Sequence, residues 1–132
     1  MMRLAAIAHL CAAILPAFTL SAMAQTKPPD TPPPYEPQMM RLAEILGGLS
    51  WLRTLCGHQD GREWQARMKQ VMDAEKPDEA RRERLAGAFN RGFAGYQVNY
   101  RTCTQNAELA AERLIEEGGR LTRDVSIRFG GD

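Results

Sequence analysis

From Met39 onwards apolar residues return with a period of about 3.6, the spacing that gathers them on one side of an α-helix. In the first such stretch Leu42, Ile45, Leu46, Leu49, Leu52 and Cys56 share a face. A second, from about Asp60 to Glu75, carries Trp64, Met68, Val71 and Met72 on its stripe. Lys76-Pro77-Asp78 then reads as a helix end, a turn and a new start, because proline cannot continue a helix and aspartate caps the next one. In the third stretch Leu85, Phe89, Gly92, Phe93, Tyr96, Tyr100 and Cys103 align, with Glu83, Arg84, Asn90, Arg91, Gln97 and Arg101 on the opposite, solvated side. The last stripe is Ala107, Ala110, Ala111, Leu114, Gly118, Leu121 and Val125. There Arg113/Glu117, Glu116/Arg120 and Arg120/Asp124 are i,i+4 pairs, each worth about 0.2–0.5 kcal/mol.

This pattern predicts an all-α fold, a small up-down bundle of four helices within residues 39–132. The stripes on either side of Cys103 stay in phase, so a single helix from Asp78 to about Gly118, making three helices in all, is the alternative. At 1.5 Å per residue it would span about 60 Å, too long for two short partners to cover. Thr104 and Asn106 are N-cap residue types, and a break near Thr104 is expected. Gly47-Gly48 sits inside an apolar helical pattern rather than after a strand, which predicts close helix packing and not a phosphate cradle.

The chain ahead of Met39 follows a different pattern. Arg3 is the only charge before Lys27, and Leu4 to Leu20 is apolar apart from His9 and Thr19, with Pro16 as a break. Ser21-Ala22-Met23-Ala24-Gln25 then offers small residues at both key positions of a cut after Ala24. Residues 1–24 are expected to be a secretory signal peptide and the protein to be periplasmic. A membrane anchor would be barely long enough, and Cys11, preceded by Ala8-His9-Leu10, lacks a lipobox. Gln25 to Gln38 holds Pro28, Pro29, Pro32, Pro33, Pro34 and Pro37 of the eight prolines in the chain. That run favours an extended polyproline conformation and is expected to be a linker, a tether more than a ligand for an aromatic groove.

The 132 residues carry 17 Lys+Arg and 16 Asp+Glu. Cleavage removes Arg3 and leaves the two signs equal, so the global basic field of a nucleic-acid binder is absent. Cleavage also removes Cys11, leaving Cys56 and Cys103. An even count in an exported chain reads as a disulfide, and a separation far from C-x-x-C makes it a structural one. In an up-down bundle the first and third helices run the same way. Cys56 ends the first and Cys103 the third, so both fall at one end.

No catalytic, cofactor-binding or metal site is visible. His58, the one histidine after the signal, cannot build a metal site of the usual ligand count. Neither Ser50 nor Ser126 lies in a nucleophile elbow. Three features are candidate contacts. Arg53 falls within the first apolar stripe and is expected either to meet a partner's or an internal acid, or to complement the helix end. Trp51 and Leu55 lie on the other side of that helix, as a contact patch or under the linker or chain end. Arg81, Arg82, Arg84 and Arg91 cluster at the start of the third helix, where guanidinium forks suit anionic envelope groups.

The order Leu46-Gly47-x-Leu49-x-x-Leu52-Arg53-x-Leu55-Cys56, Trp64-x-x-Arg67-Met68, Asp73-Ala74-Glu75 before Pro77-Asp78, Arg81-Arg82-x-Arg84, Phe89-Asn90-x-Gly92 and Tyr100-x-x-Cys103-Thr104 resembles a known series. It is that of an uncharacterised family of small exported alphaproteobacterial proteins, the domain of unknown function 2385. The resemblance runs from Leu42 to Phe129 and implies an envelope protein, with no activity or catalytic residue to carry over. The functional expectation is a non-enzymatic periplasmic or cell-envelope module binding a protein or envelope polymer, without nucleic acid and without a membrane span once the signal is gone. The alternatives are a small envelope hydrolase or transferase using helical carboxylates and His58, and a carrier of a small apolar ligand held between the helices.

Overall fold

The computed structural model describes residues 31–131; the expected signal peptide, and the linker as far as residue 30, lie outside them. Four helices follow one another: α1 Glu36–Leu55, α2 Gly61–Glu75, α3 Glu79–Asn99 and α4 Gln105–Phe129. No described helix is long and apolar enough to cross a membrane.

Local sequence sets each boundary. α1 starts at Glu36 rather than Met39, with Pro37 in its first turn, where a missing N–H costs nothing. Gly57, at φ 72°, turns the chain out of α1. Lys76 takes a left-handed φ of 42° at the end of α2, and Pro77 prevents continuation. The Asp78 carboxylate accepts from the Arg81 backbone N–H at 2.7 Å and caps α3. Thr104 Oγ1 accepts from the Ala107 N–H at 3.2 Å and caps α4. The expected break near Thr104 is therefore present, and the continuous-helix alternative is not adopted.

α1 is the centre of the bundle, and α2, α3 and α4 all pack against it. Its burial wraps around the helix, with Ala43, Ile45, Leu46, Leu49, Ser50 and Leu52 all at most 4% exposed. An apolar circumference of this kind is stable only inside a protein. Leu46 and Ala43 join Met68 of α2 with Leu85 and Ala88 of α3 in one core cluster. Ile45, Leu49 and Leu52 join Ala107, Ala111 and Leu114 of α4 in the other.

The α1/α3 contact is backbone against backbone. A Cβ placed on Gly47 would lie 2.0 Å from the Phe89 carbonyl oxygen, and one on Gly92 would lie 2.0 Å from that of Glu44. The expected close helix packing at Gly47-Gly48 is thus observed. Cys56 and Cys103 are joined in a disulfide, with Cα atoms 4.9 Å apart. It fixes the ends of the two parallel helices at one pole. At the other pole the Arg81 guanidinium, 7% exposed as a residue, sits between Glu36 at 2.7 Å and Glu75 at 2.8 Å. That cation ties the starts of α1 and α3 to the end of α2. Arg41 clamps α1 to α4 through a bidentate pair with Glu117, at 2.7 and 2.9 Å.

Two predictions follow from this packing. Gly92→Ala should lower unfolding free energy in urea by about 1–3 kcal/mol, because the added methyl meets backbone that cannot yield. Gly95→Ala, on the same helix but with nothing within 4 Å of its Cβ, should raise it by about 0.5–1 kcal/mol. Equal effects at the two sites would contradict the contact.

Acid should loosen the clamps. The Arg41 guanidinium holds Glu117 below its ordinary value of 4.5, and Arg53 holds Asp60 below 3.8. Carboxyl values depressed by folding stabilise the folded state above the unfolded values and lose that contribution as pH falls through the folded ones. Melting curves taken downward from about pH 7 should show Arg41→Gln less stable than wild type at neutral pH, with the difference closing below about pH 4. A difference that persists in strong acid would show the clamp to be steric.

Candidate functional site

α2 and α4 both lie on α1, and the space between them is an apolar groove of about 560 Å³. Its floor is Leu42, Ile45, Leu46 and Leu49 of α1. These are residues of the first sequence stripe, one helical turn apart, so they present an unbroken apolar strip. Trp64 and Val71 of the expected second stripe, together with Ala74, form the apolar α2 wall, and Met68 and Met72 of that stripe do not line the groove. Leu114, Ile115, Gly118 and Gly119 form the α4 wall. The two glycines widen the groove: a Cβ on Gly118 would meet only Ile45 Cγ2 at 3.4 Å and Leu42 Cδ1 at 3.9 Å. A smaller hollow of about 160 Å³ shares Leu42 and Thr122 and continues along Met39, Leu121 and Val125 towards the start of α1.

The polar members of the lining are Arg67 and Gln70 on α2 and Thr122 and Arg123 on α4. The Arg67 guanidinium lies over the Trp64 ring, its Cζ 5.0 Å from the centroid, a cation–π contact beside the apolar wall. None of the lining residues is Asp, Glu or His. The groove can therefore desolvate and hold an apolar group, and it contains no residue type suited to general acid–base work at neutral pH.

The residues singled out in the sequence are distributed around the molecule rather than gathered into one patch. Trp51 is half-buried, donates its indole N–H to the Tyr100 carbonyl at 3.0 Å and meets Phe93 edge to face at 5.5 Å. Arg53 binds an internal acid, Asp60, at 2.9 Å, one of the two roles expected for it. Leu55 is half-buried at the end of α1. Of the arginine cluster, Arg81 is inside the bundle, and Arg82, Arg84 and Arg91 are exposed. Arg84 lies 3.7 Å from Glu36 and Arg91 3.4 Å from Glu44. The phase of the third stripe carries the signal for Arg81, since it precedes buried Leu85 by one helical turn.

His58 Nε2 lies 3.0 Å from Glu108 Oε1, beside the disulfide, with Cys103 Sγ 3.8 Å from the same oxygen. Cys56, Cys103 and Glu108 bring ligand-type atoms within 4.8 Å of one another. Both sulfurs are committed to the bridge, however, and a disulfide lacks the thiolate that binds metal. The pair joins the first inter-helix turn to the start of α4 and is separate from the groove.

No curated protein and no solved structure matches this chain. One family model matches residues 34–129, from just before α1 to the end of α4, thereby including both poles and the whole groove. The chain belongs to the family described as Protein of unknown function (DUF2385).

Proposed function

We propose that the protein is a non-enzymatic binding module of the bacterial cell envelope that carries a small apolar ligand in the groove between α2 and α4. The observation that carries this reading is the groove itself. Its volume lies within the range of about 300–1,000 Å³ typical of small-molecule sites, and its floor is the aliphatic face of the central helix. The lining supports a carrier over a hydrolase or transferase, because carboxylates and His58 do not converge there. Binding of a protein through Trp51 and the arginine cluster has less support, since Trp51 and Arg81 satisfy their hydrogen bonds or charges internally.

Export to the periplasm of an alphaproteobacterium, with the leader removed after Ala24, belongs to the same proposal. The leader pattern and the Cys56–Cys103 bridge support it, because such bridges persist in oxidising compartments. Mass spectrometry of periplasmic protein should find Gln25 at the N-terminus and Cys56 linked to Cys103. Retention in the cytoplasm with both thiols free would overturn this part.

The binding proposal is tested with the uncharged probe N-phenyl-1-naphthylamine, whose emission rises in apolar surroundings. The mature protein should brighten it saturably, with one site per chain. Gly118→Leu fills the groove from its α4 wall, and Gly119→Leu narrows its lip, where an added Cβ meets only the Arg123 side chain at 3.5 Å. Each should weaken probe affinity by about tenfold or more, as expected when several methylene contacts are lost. Unchanged affinity in the folded variants would refute the site. So would a dark wild type that brightens once residues 25–34 are deleted, which would make the linker the occupant.

A further inference from the structure

The groove is apolar at its floor but basic at both lips, and that combination restricts the ligand further. Arg67 projects from α2 and Arg123 from α4, so the two guanidinium groups stand on opposite walls of one slot. Both residues are exposed. Among the described residues neither has a carboxylate within 4.0 Å, whereas arginines at other helix–helix seams do. Arg41 holds Glu117 at 2.7 Å, Arg53 holds Asp60 at 2.9 Å and Arg81 holds Glu36 at 2.7 Å. Arg62, Arg101, Arg113 and Arg128 are likewise exposed and without a carboxylate within 4.0 Å among the described residues; what sets Arg67 and Arg123 apart is that both line an apolar groove whose lining holds no acid.

Each of the two is also held near the slot. The Arg67 guanidinium lies against the Trp64 face, its Cζ 5.0 Å from the ring centroid. Arg123 lies over Gly119, where its Nη1 would be 3.5 Å from an added Cβ. An arginine fork presents paired N–H donors that match the oxygens of a carboxylate or phosphate.

We infer that the ligand is a single-chain anionic amphiphile, its hydrocarbon tail laid along α1 and its negative charge balanced by the arginines of the lining, Arg67 and Arg123. This rests on the groove being the binding site and adds the headgroup to it. The α2 wall runs from Trp64 to Ala74, about 15 Å at the helical rise, so the groove accommodates a tail of intermediate length. A carboxylate or a phosphate headgroup supplies the same oxygen chemistry. A fatty acid and a lysophospholipid-type monoester are therefore distinguished by experiment.

The test uses the mature protein at low salt, below micelle-forming concentrations, with four probes sharing one dodecyl tail. These are dodecanoate, dodecyl phosphate, dodecanol and dodecyltrimethylammonium, each measured by displacement of the naphthylamine probe. Dodecanoate should bind about tenfold more tightly than dodecanol, the worth of a charge-assisted hydrogen bond, and the cationic probe most weakly. The advantage of the anions should shrink as salt is added, because exposed charges are screened. An Arg67→Gln/Arg123→Gln double variant should bind dodecanol as wild type does and lose the preference for dodecanoate. The tighter of the two anions identifies the headgroup source, and either order supports the inference. Equal binding of dodecanol and dodecanoate by wild type would overturn the headgroup assignment and leave the groove standing. Displacement by none of the four would overturn both.

Discussion

The bundle depends on the contact in which α1 and α3 touch through Gly47 and Gly92. Each glycine faces the other helix's backbone closely enough that even a methyl group would collide with a carbonyl. Two helices that approach to that degree act as one rigid unit. The pairing uses one side of α1 and leaves the remainder of its apolar circumference for α2 and α4. Those two helices bind to α1 and not extensively to each other. A groove floored by α1 is the geometric consequence, and glycines at 118 and 119 on the α4 wall keep it open.

Both ends of the rigid pair are then fastened. The disulfide closes one pole, and in the chain-entropy account a loop of this size contributes about 4 kcal/mol. Arg81 closes the other by bridging Glu36 and Glu75 with two ion pairs. A buried cation of this kind costs solvation, so its net contribution is small, but removing one partner leaves an uncompensated charge at a cost of about 3–5 kcal/mol. The two fastenings differ in kind: the disulfide joins the ends of α1 and α3, and Arg81 joins their starts and adds the end of α2. Arg81 thereby ties the end of the α2 wall to the start of the groove floor without filling the slot between them.

Much of this architecture was legible in the chain. The stripes gave four helices, Thr104 gave the break between the last two, and the paired cysteines gave the staple and the parallel course of α1 and α3. Those features are local, or follow from connectivity alone. Arg81 stands in sequence among exposed neighbours, and four arginines in a short span read as a surface cluster; only its helical phase relative to Leu85 distinguishes it. Trp51 opposite the main stripe suggested a patch, because a stripe analysis assumes one buried face and α1 is buried nearly all round. The groove was the least legible element. Its lining residues are ordinary stripe residues, and whether they meet each other or enclose space depends on the distance between α2 and α4, which no periodicity encodes.

The distribution of charge separates arginines paired across helix seams from those left at the surface more sharply than composition does. The chain is nearly neutral, and its seam arginines are matched to acids on neighbouring helices, as the Arg41–Glu117 and Arg53–Asp60 pairs illustrate. Such matching suppresses alternative helix registers, since a displaced helix would leave like charges facing or a cation unpaired. Arg67 and Arg123, like the other exposed arginines without a carboxylate partner among the described residues, stand outside this matching, and these two lie beside the apolar hollow. An exposed cation needs no internal partner for stability, so neither residue is costly where it stands. Their placement on facing walls, above a floor of Leu42, Ile45, Leu46 and Leu49, sets two cations beside an apolar strip, the combination that the proposed ligand requires.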